Sequence, residues 1–152
     1  MNIEQFLQNH EVPFTVVSHP AAYDAQRLAQ SLHVPGKEVA KTVLLRANGG
    51  YTYVVAVLPA TKHIDLHQAS EALGGSKLVL ATELEIAEHC PDCEFGVLPP
   101  FGSAYGMKTI VDESITLDEE IYFEANTHHD AICMKFKDFQ EIEQPLILTI
   151  AR

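Results

Sequence analysis

Two runs rich in β-branched residues, Val39 to Leu45 and Tyr51 to Leu58, constrain the fold more than any other part of the chain. Each has the length of a strand, and Asn48-Gly49-Gly50 between them is favourable hairpin chemistry, because Asn and Gly accept the positive φ angles a tight turn demands. An antiparallel pair is therefore expected in the first half of the chain, with the remaining elements packed on or beside it.

Those elements are legible in outline. Ile3, Phe6 and Leu7 recur at helical spacing within Asn2 to Asn9, ahead of Pro13. Phe14 to Ser18 reads as a strand stopped by His19-Pro20. From the N-cap candidate Asp24, Leu28, Ala29 and Leu32 form one helical stripe ending before Pro35-Gly36. Asp65 caps a helix through Leu73 that closes at Gly74-Gly75, and Lys77 to Leu80 is a short strand. Thr82 with Glu85 three residues on is a capping box for a helix to His89. Later come a strand ending near Val111, a turn from Asp112 to Asp118, strands at Glu120 to Glu124 and Ala131 to Lys135, and a helix at Lys137 to Glu143. Leu146 to Ile150 is a last strand or an apolar tail. Hairpin-spaced strands interrupted by helices specify an α+β fold with a mixed, largely antiparallel, curled β-sheet and packed helices.

At 152 residues and 47% apolar the chain suits one domain, 1–152, with one core. No apolar run reaches the roughly 18 residues a membrane span needs, so no membrane partner is expected, and without an export signal the location expected is cytoplasmic. Three cysteines, an odd number, argue against a disulfide framework and for reduced thiols. A net charge of −11 disfavours extended adhesion to a phosphate backbone, which excludes a general DNA binder but not a pocket holding one nucleotide end.

The stretch Phe95 to Glu113, F-G-V-L-P-P-F-G-S-A-Y-G-M-K-T-I-V-D-E, is a shaped loop. Pro99-Pro100 stiffens it, while Gly96, Gly102 and Gly106 open backbone dihedrals and expose N–H groups. It reads either as a site on a scaffold or as a rigid connector into the strand that follows. Lys41 interrupts an apolar strand, where lysine is rarely buried unless paired, and marks either a pocket wall or a solvated strand end. His128-His129-Asp130 offers an acid, a base or a polar hairpin turn. Cys90-Pro91-Asp92-Cys93 is a single C-x-x-C without the further ligands a structural zinc requires, so no metal is expected. No phosphate loop, dinucleotide motif or serine-hydrolase elbow is present, and no cofactor is expected.

Taken together, V-A-K-T at Val39 to Thr42, G-V-L-P-P-F-G at Gly96 to Gly102 and V-D-E-S at Val111 to Ser114 resemble the YbaK/prolyl-tRNA synthetase-associated domain family, freestanding relatives of a synthetase editing domain. The likeness extends over nearly the whole chain, from the early H-P to the closing E-I-Y-F. It implies hydrolysis of the ester linking a wrong amino acid to the terminal adenosine of a tRNA, with alanine on tRNA-Pro the first candidate and serine or cysteine next. In that resemblance Lys41 is the principal functional side chain, positioning the terminal nucleotide or its phosphate. The Gly96 to Gly102 loop supplies N–H groups to the ester carbonyl, and water attacks with help from the substrate's ribose hydroxyl. The substrate-binding residues implied are Tyr23, Thr42, Pro99, Pro100, Phe101, Gly102, His128 and His129, with Lys41 and Gly96 catalytic. Many relatives have glycine where Asn126 stands. The partners implied are the aminoacyl-tRNA acceptor end and an aminoacyl-tRNA synthetase. A non-catalytic module binding an aminoacyl-adenosine or a protein is the alternative.

Overall fold

The computed structural model describes residues 1–48 and 52–152. In chain order the elements are α1 Ile3–Asn9, β1 Thr15–Ser18, α2 Ala25–Leu32, β2 Ala40–Ala47, β3 Thr52–Pro59, α3 Leu66–Ala72, β4 Leu78–Leu80, α4 Glu83–His89, β5 Lys108–Asp112, β6 Glu120–Glu124, β7 Asp130–Lys135, α5 Phe136–Glu143 and β8 Leu146–Leu148. One-turn 3₁₀ helices occupy Gly36–Glu38, Gly102–Tyr105 and Glu113–Leu117. Among the described residues no helix is long and apolar enough to cross a membrane.

The expected α+β architecture is present, but its strands divide into two sheets rather than one. β2 and β3 pair antiparallel from Ala40↔Pro59 to Ala47↔Thr52, as their composition demands. The Gly49-Gly50 turn and Tyr51 lie outside the described residues. β4 adds to β2, and β5 and β8 extend the other edge in parallel, giving the order β4-β2-β3-β5-β8. A smaller antiparallel sheet has the order β1-β7-β6. Among the described residues the two are joined by one isolated bridge, between Val39, just before β2, and Tyr122 of β6. Local strand patterns say which residues alternate and not which strands share an edge, so this division was not legible in them.

Helix starts follow the sequence. Asn2, Asp24 and Asp65 side chains accept from the N–H three residues on, and Thr82 and Glu85 form the reciprocal capping box. α5 begins at Phe136, with Lys135 at its N-cap.

The core lies between the sheets. Phe101 is fully buried and meets the rings of Phe6, Phe123 and Phe139 at centroid distances of 5.2, 5.7 and 5.2 Å. Burying these aromatic faces contributes heavily to stability, since each removes a large apolar area from water. A polar clamp fixes the chain just beyond Phe101. The Gly102 N–H donates to Thr109 Oγ1 at 2.9 Å, and Thr109 and Ser103 both donate to the buried carboxylate of Glu143 on α5. A Cβ at Gly102 would lie 2.6 Å from Thr109 Oγ1, so glycine is required there for close approach. In V-D-E-S, Asp112 accepts from Ser114, Ile150 and Ala151, tying the end of the chain to β5. Burial opposes ionisation of Asp112, but those hydrogen bonds and Lys62 outweigh it and hold its carboxyl below the ordinary value.

The expectation of reduced thiols is corrected. Cys90 and Cys93 are joined in a disulfide, and Cys133 is free and buried. An odd count speaks against a framework of cross-links, but a local turn in which the Cys93 N–H donates to the Cys90 carbonyl brings two thiols together whatever the total.

Candidate active site

Where the sheets meet, a cavity of about 240 Å³ opens between the start of β2, the end of β6, the N-terminal end of α2 and the loop after α4. Lys41 and Thr42 of β2, Tyr23 and Asp24 ahead of α2, Gly96 of the loop and Glu124 of β6 bring polar groups to it. Leu28, Val39, Leu98 and Phe123 supply apolar wall.

Lys41 is half-buried, and among the described residues no carboxylate pairs with it. Burial lowers its pKa from the ordinary value, because a desolvated ammonium is disfavoured. A cation held without a partner in a cavity is suited to an anionic or strongly polar ligand.

Gly96 has φ +88°, a left-handed conformation that favours glycine. A Cβ there would point at His128, with Nε2 3.6 Å away. The Val97 N–H is spent on the Glu94 carbonyl and that of Gly102 on Thr109, whereas the Gly96 N–H has no acceptor among the described residues. The loop is moored to the strand beneath it by a hydrogen bond from the Thr42 hydroxyl to the Leu98 carbonyl.

His128 is 6% exposed. Its Nε2 lies 2.8 Å from the Phe95 carbonyl, and Nδ1 faces Glu124 Oε2 at 3.6 Å. The ring packs on Tyr23 with centroids 4.7 Å apart. Backbone bonds from His19 to the His129 carbonyl and from Ala22 to the His128 carbonyl stitch the early H-P segment to this hairpin. Burial pushes the Glu124 carboxyl up to about 7, opposed by His128 and reinforced by Glu94 and Asp24. The His128 imidazole is raised: burial works against its charged form, while the Phe95 carbonyl and the carboxylates of Glu124 and Glu94 favour it.

Of the residues expected from sequence, Lys41, Gly96, Tyr23 and Thr42 share the cavity. His128 lines an adjoining hollow that also contains Tyr23 and Gly96. His129 is exposed and its N–H donates to Thr127. Pro99, Pro100, Phe101 and Gly102 are buried and do not line the cavity, so their placement corrects the expectation that they contact substrate. They turn the chain into the core so that Gly96 and Leu98 face the opening. Glu124 was missed: E-I-Y-F-E reads as an ordinary strand end, and its alternation away from buried Ile121 and Phe123 suggests solvent. Asn126 holds the N-terminal segment, accepting from the Ile3 N–H and donating to the Met1 carbonyl. Cys90, Asp92 and Cys93 bring donor atoms within 4.8 Å of one another, but the two thiols are joined to each other.

A family profile described as the aminoacyl-tRNA editing domain matches residues 19–142, and the chain belongs to that family. Its class is thus that of the aminoacyl-tRNA deacylases. Among individual proteins it is 28% identical over 149 residues to the multifunctional Ser/Thr-tRNA deacylase ProXp-y of Escherichia coli (strain K12), covering 96% of this chain and 89% of that one. Two solved structures share the fold. Hypothetical protein APE2540 superposes with a TM-score of 0.88 at 17% identity over 99% of each chain. A candidate trans-editing enzyme for prolyl tRNA synthetase gives 0.82 at 20% identity over 99% of this chain and 92% of its own.

Proposed function

We propose that this protein hydrolyses, in trans, the ester joining a small non-cognate amino acid to the terminal adenosine of a tRNA, with tRNA-Pro the first substrate to test. The observation that carries this reading is the unpaired, half-buried Lys41 ammonium in the same cavity as the unpartnered Gly96 N–H. Lys41 holds the terminal nucleotide through its phosphate or ribose oxygens. The Gly96 N–H donates to the ester carbonyl, and that bond strengthens as negative charge develops on the oxygen. Water attacks the carbonyl carbon, the ribose oxygen leaves, and the substrate's adjacent hydroxyl assists the proton transfer. A hydrolytic second sieve is chemically apt for small amino acids, because a synthetase pocket discriminates poorly between side chains differing by a methylene. The carboxylates of Asp24 and Glu124 at the cavity oppose tight binding of a polyanion, which favours delivery of the tRNA end by a synthetase partner.

The test is deacylation of tRNA-Pro charged separately with alanine, serine, cysteine and proline. Selective loss of a non-cognate ester with the wild type, and loss of that activity in Lys41→Ala, is the expected result. Failure of the wild type to exceed spontaneous hydrolysis on these and on other mischarged tRNAs would leave a binding module instead.

A further inference from the structure

Glu124 ends β6 with Oε2 3.6 Å from Nδ1 of His128, and no hydrogen bond reaches that buried nitrogen. The ring is committed on its far side, where Nε2 lies 2.8 Å from the Phe95 carbonyl and must carry a proton to donate to it. Nδ1 is therefore a lone pair facing a protonated carboxyl or a donor facing a carboxylate. In both cases Oε2 faces the ring at 3.6 Å, a polar contact longer than a hydrogen bond. Phe95 is fastened in turn through its neighbour Glu94, whose N–H donates to the Asn126 carbonyl and whose carboxylate accepts from the His128 N–H.

Glu124 accepts no hydrogen bond among the described residues, and it lines a cavity whose wall includes apolar Leu28, Leu98 and Phe123 as well as Lys41 and Thr42. An acceptor held in place among apolar side chains loses solvation when a ligand covers it, and the loss is recovered when the ligand donates a hydrogen bond.

We propose that Glu124 is a specificity-determining residue of this site, its carboxyl accepting a hydrogen bond from a hydroxyl on the aminoacyl side chain, so that esters of serine are preferred to those of alanine. The inference rests on the deacylase reading above. Serine and alanine differ by one oxygen, and a pocket that sorts by size separates them poorly. A pocket with a waiting acceptor separates them well, because alanine covers the carboxyl and offers it nothing. His128 is the positioning residue: it orients the carboxyl and does not itself reach the hydroxyl.

The experiment measures deacylation of seryl- and alanyl-tRNA-Pro by the wild type, Glu124→Gln, Glu124→Leu and Glu124→Ala. Glu124→Gln keeps an acceptor oxygen and retains a preference for serine. Glu124→Leu and Glu124→Ala lose it, the serine-to-alanine ratio falling by on the order of 10- to 100-fold, the range for a hydrogen bond to a charged group. Two removal variants of different volume keep the test usable if one of them does not fold. An unchanged ratio in a folded removal variant overturns the inference, as does an equal slowing of both esters, which would mean that Glu124 contacts the part common to both substrates. Those results leave the deacylase reading standing; a wild type inactive on every ester removes both.

Discussion

The hydroxyl of Thr42 donates a hydrogen bond to the carbonyl of Leu98, 56 residues further along the chain. This bond fastens the glycine-proline loop to β2 beside Lys41 and so holds Gly96 and Lys41 at one cavity. Thr42→Val preserves shape and removes the donor. It is expected to cost about 1–2 kcal/mol in urea unfolding by leaving the Leu98 carbonyl unsatisfied, and to reduce turnover more than that loss of folded protein accounts for. Turnover that merely tracks the folded fraction would show that the mooring has no part in the site.

Lys41→Met should separate function from stability. The ammonium is desolvated without a carboxylate partner, which lowers its pKa and makes the charge a burden on the native state. The methionine variant is expected to melt no lower than wild type while deacylation falls to background. A melting temperature well below wild type would indicate that Lys41 is held by contacts that stabilise it.

The Glu124 carboxyl, raised to about 7 in the native state, has an ordinary value of 4.5. Because the native pKa is the higher, the native state binds the extra proton between those values. The stabilisation it confers is complete below pH 4.5 and is lost as pH rises through about 7. The raised His128 acts in the same direction. Thermal melts from pH 4 to 8 should therefore fall more steeply for wild type than for Glu124→Gln, which removes both the carboxyl and its effect on His128. Parallel curves would remove the shifted carboxyl from the account.

Gly102 and Gly106 sit four residues apart and are expected to tolerate alanine differently. At Gly102 a Cβ meets Thr109 Oγ1 at 2.6 Å and the Met107 carbonyl oxygen at 2.8 Å, an overpacking that costs about 1–3 kcal/mol and disturbs the Glu143 clamp. At Gly106 nothing lies within 4 Å of a Cβ, and the cost is that of the left-handed backbone at φ +72°, about 1 kcal/mol. Urea unfolding of the two alanine variants measures the difference, and equal losses would refute the steric account.

Elements specified by neighbours in sequence were legible: the paired strands from composition, α4 from its capping box, and the isolated lysine from its apolar surroundings. Legibility ended where a residue's role depends on what lies across from it. Phe101 and Gly102 belong to the same rigid motif as Gly96, yet an aromatic cluster drawn from α1, β6 and α5 claims the first and Thr109 the second. Glu124 was the converse, an outward position by alternation that lines a cavity with Tyr23 and Gly96. The Cys90–Cys93 bond escaped because it depends on a local turn, not on how many cysteines the chain contains.

The single bridge from Val39 to Tyr122 gives the two sheets a hinge line, and Lys41 and Glu124 stand on opposite leaves of it, each two residues away. The aromatic side chains around Phe101 pack between the leaves, and one of them, Phe123, also walls the cavity. The core therefore reaches the cavity wall directly. Exchanging Phe101 for a smaller residue is expected to shift Phe123, and with it the wall of the cavity, while leaving Lys41 and Gly96 unchanged.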